Sequence, residues 1–166
     1  MSTNASTSPS NRNSLLRSSV IGGLIIGLLH LIIQVGIFFV LIGKTPLISA
    51  LQYIASGAMS SAAFTGGLST AVLGAVLELL MTIIIAGIFI LSADRISLLR
   101  RYVIIGSLLY GIGVFIVMNF IVLPLSAAPP LPTPPMSQII ELILEHILVI
   151  GLPLGILLRR DANTNK

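Results

Sequence analysis

Four uninterrupted apolar blocks, at about 20–42, 70–91, 102–123 and 139–158, restrict this chain more than any other feature. At about 1.5 Å per residue, each block is long enough to cross roughly 30 Å of hydrocarbon as an α-helix. Lipid offers no partners to backbone N–H and C=O groups, so a crossing segment must satisfy them internally. The composition agrees. Only 8% of the residues are charged, against about 25% in a typical soluble domain. The expected fold is therefore all-α, an integral membrane four-helix bundle, with the lipid bilayer as its first partner.

The charges give an orientation. Arg12 and Arg17 precede the first block. Arg95, Arg100 and Arg101 lie between the second and third, and Arg159, Arg160 and Lys166 follow the fourth. Only Lys44 lies on the other side. Positive residues are retained on the cytoplasmic side, so both termini are expected there, in a multi-pass protein of the cell inner (plasma) membrane. The same clustering explains a pI near 10.1 without nucleic acid as a partner. The first block is too long for a signal-peptide core, and no small-residue cleavage site follows it, so it reads as a retained span. There is no cysteine, hence no disulfide framework and no thiol chemistry.

Residues 1–16 are mostly Ser, Asn and Thr and read as a disordered tail. A membrane domain over 17–160 and a short tail over 161–166 complete the plan. Ser69 or Thr70 is the expected N-cap of the second span, and Pro124 the expected end of the third. The stretch at about 46–64 mixes Leu47, Ile48, Leu51, Tyr53 and Ile54 with Ser56, Gly57, Ser60 and Ser61. It is too short and too weakly apolar for a fifth span. It fits an amphipathic interfacial or re-entrant helix packed on the outer end of the bundle. The uncharged, proline-rich stretch 124–135 reads as a stiff extended connector.

Three segments carry a resemblance: LQYIASG at 51–57 with AAFTGG at 62–67, YGIGVFIVMNFIVLPLSA at 110–127, and GLP at 151–153. From about residue 44 onward the chain resembles an uncharacterised group of small bacterial inner-membrane proteins with four spans. Their signature is Met-Asn-x-x-Val-x-Pro-Leu-Ser, matched here by Met118, Asn119, Val122, Pro124, Leu125 and Ser126. Glu78 departs from the His that such proteins often carry. The resemblance implies a bacterial inner membrane and four spans, and it implies no reaction.

Polar side chains at mid-bilayer are costly, so each is a functional candidate. They are His30 and Gln34 in the first span, Glu78 in the second, Asn119 in the third, and Glu141, Glu145 and His146 in the fourth. Glu141 lies near the outer interface, where water can solvate it. Gly23, Gly27, His30 and Gln34 share one stripe, and so do Ala71, Ala75, Glu78 and Thr82; small and polar residues together point both stripes inward. Gly106, Tyr110 and Gly113 form a similar stripe on the third span. Counted from the cytoplasmic ends, His30, Glu78 and His146 lie roughly 17, 20 and 18 Å deep. These three are expected to meet, with Glu145 and Gln34 beside them. Glu145 and His146 diverge by about 100° as helix neighbours, which argues against both facing the bundle axis and against a ready-made chelate. Pro153, between Gly151 and Gly155, predicts a kink and a freed Val149 carbonyl.

No phosphate loop, zinc spacing or Ser-His-Asp arrangement occurs, and the only aspartates, Asp94 and Asp161, lie in cytoplasmic segments. An enzyme is therefore not the expected reading. Three readings stay open. The first is a small transporter or proton- or ion-linked protein using the His/Glu cluster. The second is a structural or assembly subunit, as a homo-oligomer or with a membrane partner. The third is a redox protein in which His30 and His146 ligate haem or a metal ion. The cofactor is left unassigned. A cytoplasm-specific reporter fused to the C-terminus should be active; activity of a periplasm-specific reporter at that point instead would reverse the orientation.

Overall fold

The apolar blocks form long helices that pair through glycine. In this computed structural model, which describes residues 9–130 and 134–164, α1 is regular over Pro9–His30 and widens into a π-helix over Leu31–Ile42. α2 covers Leu47–Met59 and runs into a 3-10 turn at Ser60–Thr65. α3 covers Gly67–Arg95, and a short helical turn follows at Ser97–Arg101. α4 covers Val103–Val117 and continues through a π turn at Met118–Val122 and a last turn at Leu123–Leu125. α5 is regular over Met136–Glu145, π-helical over His146–Gly151, and regular again over Leu152–Thr164. Among the described residues there is no strand.

α1 packs antiparallel on α3, and α4 on α5. Between α1 and α3 a methyl on Gly23 would collide with the Ile83 backbone, and one on Gly27 would lie 2.5 Å from Thr82 Oγ1. Between α4 and α5 the backbones meet directly. A Cβ on Gly111 would lie 2.7 Å from the His146 carbonyl oxygen, and one on Gly151 2.6 Å from the Ser107 carbonyl oxygen. With no hydrophobic drive between helices in lipid, such close approach is what holds them. The seam on α4 is therefore Ser107, Gly111 and Val114, one position round from the expected Gly106–Tyr110–Gly113 stripe. Gly113 faces open space and Gly106 abuts Leu99. Serine is also small, and the glycine pattern alone hid that face.

The two pairs join over a core of Ile26, Ile85, Ala86, Phe89, Val114, Ile150 and Leu154. The Phe89 and Tyr110 rings lie 5.0 Å apart within it. The opposite faces stay apolar and exposed. On α3, Leu68, Val72, Val76, Leu80, Ile84 and Ile88 form an unbroken ridge at four-residue spacing. Water would not tolerate such a ridge, and lipid requires it. The chain is a multi-pass membrane protein.

Five helical stretches are long and apolar enough to cross a bilayer, including 47–65. That stretch contains α2, which is held at the Lys44 end of the bundle. Gln52 Nε2 donates to the Gly67 carbonyl at 3.0 Å and to Thr70 Oγ1 at 3.2 Å. The Leu51 carbonyl presses on Gly74. The Ala127 N–H donates to the Gly57 carbonyl at 2.9 Å. These contacts involve only the first turns of α3 and the exit of α4. The buried face of α2 is small and polar, with Ala50, Gln52, Ala55 and Ser56, while Leu47, Ile48 and Phe64 are exposed. An apolar outward face suits lipid better than water.

Several boundaries move. α1 reaches back to Pro9, into the stretch read as a disordered tail, because an established helix extends cheaply once nucleated and proline is tolerated in a first turn. Residues 1–8, 131–133 and 165–166 lie outside the described residues. α3 starts at Gly67, where φ is +60°, so Ser69 and Thr70 are not caps. Ser69 Oγ donates to the Gly66 carbonyl at 2.7 Å and Thr70 Oγ1 to the Ala63 carbonyl at 2.6 Å. Pro124 does not end α4: the helix runs on to Leu125, and the chain leaves it at Ser126.

Gly111→Ala should lower thermal stability in detergent by about 1–3 kcal/mol through overpacking. Gly113→Ala, facing open space, should raise it by up to about 1 kcal/mol through helix propensity. Equal effects from the two would refute the seam.

Candidate functional site

Glu145 is the centre of the polar cluster. It ends the first regular stretch of α5 and is 5% exposed. One carboxylate oxygen, Oε2, lies 2.8 Å from His146 Nδ1, and the other, Oε1, lies 3.5 Å from His30 Nε2. His30 ends the regular part of α1, and its Nδ1 lies 2.9 Å from Glu78 Oε1 of α3. The four groups form one chain, Glu78–His30–Glu145–His146, in which carboxylate and imidazole alternate across three helices. The two imidazoles meet edge to face with ring centroids 6.1 Å apart.

Neither oxygen of Glu145 has an aligned hydrogen-bond donor, and His30 Nδ1 also lacks one despite its short distance to Glu78. These are close carboxylate–imidazole contacts without aligned hydrogen bonds.

The local folding explains how adjacent residues reach one site. Glu145 and His146 both lie inside because α5 is buried on two sides. Glu145 faces α1, while the His146 ring stands 5.5 Å from Phe115 of α4. His146 Nδ1 also lies 2.8 Å from the Leu142 carbonyl. The expected divergence does not keep the pair apart, since it bends Nδ1 back onto Glu145. The π-helix that starts at His146 stands where a kink before Pro153 was expected. A wide turn absorbs the missing proline donor with less distortion than a break.

Gln34 lies one turn beyond His30 on the π-helical part of α1, and among the described residues no hydrogen bond joins it to the cluster. The signature residues are elsewhere. Asn119 Nδ2 donates to the Phe115 carbonyl at 2.9 Å inside the π turn of α4. Met118 packs against the core. Ser126 Oγ donates to the Leu123 carbonyl at 2.7 Å and accepts from the Ala128 N–H at 3.2 Å. Together with Pro124, these residues shape the turn that carries Ala127 to Gly57. Tyr110 escaped the list of polar candidates. Its hydroxyl donates to the Ile85 carbonyl at 2.8 Å and ties α4 to α3. A Tyr well inside an apolar span was the available signal.

Both nitrogens of His30 lie against carboxylates of different helices, and His146 Nδ1 lies against the Leu142 carbonyl of its own helix. Among the described residues, no group of three or more His, Asp or Glu side chains is arranged to hold a metal ion.

The chain matches no known family model. It likewise matches no curated protein and no solved structure. The site therefore stands on its own chemistry.

Removing one partner from a buried ion pair leaves the other charge unpaired, at a cost of about 3–5 kcal/mol. His30→Leu should destabilise the protein by that order, and His30→Leu combined with Glu78→Leu by clearly less. A double-mutant cycle read by thermal unfolding in detergent checks this. Additive losses would show that the two side chains are uncoupled.

Proposed function

We infer that this chain is a small proton-linked membrane protein, a transporter or ion-coupled component of the plasma membrane, whose Glu78–His30–Glu145–His146 chain binds and passes protons. The observation that carries the reading is the Glu145 carboxylate, buried between two imidazoles with no aligned donor on either oxygen. Most buried carboxylates held for structure alone are fixed by aligned donors. This one has two neighbours that can each hold a proton or give it up. Imidazole is the side chain whose charge changes most readily near neutral pH. Two carboxylates outweigh the charge of one protonated histidine, so the cluster favours a proton or a small cation over an anion. Each acceptor lies within hydrogen-bond reach of the next or a few tenths of an ångström beyond it.

The arginine-rich end is the cytoplasmic one in this reading, and both termini lie there. α2 then sits in the outer margin of the membrane. The kinship with small bacterial inner-membrane proteins belongs to the same proposal, as does assembly with further copies or with a membrane partner.

The test is proton flux. Protein-loaded liposomes with a trapped pH indicator and a potassium diffusion potential should collapse an imposed pH gradient. Glu145→Gln should slow that collapse by about a hundredfold, the scale of a lost proton-transfer group. Flux from the intact protein no faster than from protein-free liposomes would overturn the reading.

A further inference from the structure

The cluster is not symmetric about its own depth. On the arginine side it is closed. Ile26 lies one turn from His30, Thr82, Ile85, Ala86 and Phe89 follow Glu78, and Ile150 and Leu154 follow His146. Of these, Ile26, Ala86 and Leu154 are 0% exposed and Phe89 is 1% exposed. A packed apolar layer of this kind holds no water.

On the Lys44 side there is an acid. Glu141 stands one helical turn before Glu145 on the regular part of α5, and it is exposed. Residues four apart share a face, with Cβ atoms about 5–6 Å apart. Side chains on a helix lean toward its N-terminus. The N-terminus of α5 is the Lys44 end, so Glu145 leans toward Glu141. No ion pair engages Glu141 among the described residues. At the depth of Glu145, the titratable groups from the elements packed on α5 are His30 of α1, Glu78 of α3 and Tyr110 of α4. The Tyr110 hydroxyl is committed to the Ile85 carbonyl.

We propose that protons enter the cluster from the Lys44 face only, with Glu141 as the relay that hands them to Glu145. The step is a simple transfer. The O–H bond of protonated Glu141 breaks as an O–H bond forms on a Glu145 oxygen, directly or through one water, and Glu141 returns to carboxylate. Glu145 then gives its proton to His30 Nε2 as the N–H bond at His30 Nδ1 breaks and that proton passes to Glu78 Oε1, leaving Glu145 a carboxylate again. The apolar layer makes the arginine side a barrier, so release to that side requires the core around Phe89 and Leu154 to part. The proposal rests on the proton-binding reading of the cluster and adds a direction and an entry residue to it.

The full-length chain in uniformly oriented vesicles supplies the test. Protonation of the buried carboxyls is followed by infrared absorption of the protonated C=O group after a pH jump on one side of the membrane. A jump at the Lys44 face should raise the band quickly, and an equal jump at the arginine face should raise it more than tenfold more slowly. Glu141→Gln should slow the fast phase about tenfold while leaving its final amplitude unchanged, and Glu141→Asp should restore most of the rate. Glu145→Gln should remove part of the amplitude itself. Equal rates from both faces, or an unchanged rate in Glu141→Gln, would overturn one-sided entry while leaving proton binding standing. A band that does not respond to pH from either face would overturn both readings.

Discussion

A bilayer interior cannot hydrate a carboxylate. Glu78 and Glu145 lie where a charge without a partner costs several kcal/mol or more, so both must be matched from within the bundle. Only two histidines exist in the chain, and both are used. For His30 to reach both acids, α1 must touch α3 and α5 at one depth. Glycine makes this possible. Gly23 and Gly27 bring α1 onto α3 just below the cluster, and Gly111 and Gly151 bring α4 onto α5. The polar chain and the glycine seams are therefore one device. The seams set the helix spacing, and the ion pairs set which residues stand opposite each other.

Much of this was legible in the residues themselves. Block length marks the helices, and their alternating directions plus a rise of about 1.5 Å per residue place His30, Glu78 and His146 at a common depth. The Gly23–Gly27–His30 stripe faces α3 as its composition suggests. The facing of α4 was not legible, because Ser107, Gly111 and Val114 look no different from Gly106, Tyr110 and Gly113 until a partner helix is chosen. The joint burial of Glu145 and His146 was hidden for a related reason. A 100° divergence excludes two neighbours from a narrow contact line but not from a helix with neighbours on two sides. The Glu78–His30–Glu145 connection needed three helices at once, and no periodicity within one helix encodes that. Helix ends were read least well. Proline and polar residues bias a boundary, while the continuing helix on one side decides it, as at Pro9, Gly67 and Pro124.

α2 shows how the polar economy extends beyond the site. Its inward face of Ala50, Gln52, Ala55 and Ser56 binds the bundle by hydrogen bonds and close contact, and its outward face is left to lipid. This inverts the pattern of a soluble amphipathic helix, whose apolar side turns inward. Gln52 is buried at 4% exposure because Thr70 and the Gly67 carbonyl accept its amide protons.

Three of the four long helices of the bundle leave regular winding beside the cluster: α1 at Leu31, α4 at Met118 and α5 at His146, while α3 stays regular from end to end. A π turn carries one residue more than a regular turn, so it holds a helix in a rotational phase that can slip back by a single residue. Such a slip would swing every side chain beyond it by roughly 100° without lifting either end of the helix from its interface. The three wide turns lie near the level where the acids and imidazoles meet, so such a slip would turn side chains toward or away from that cluster.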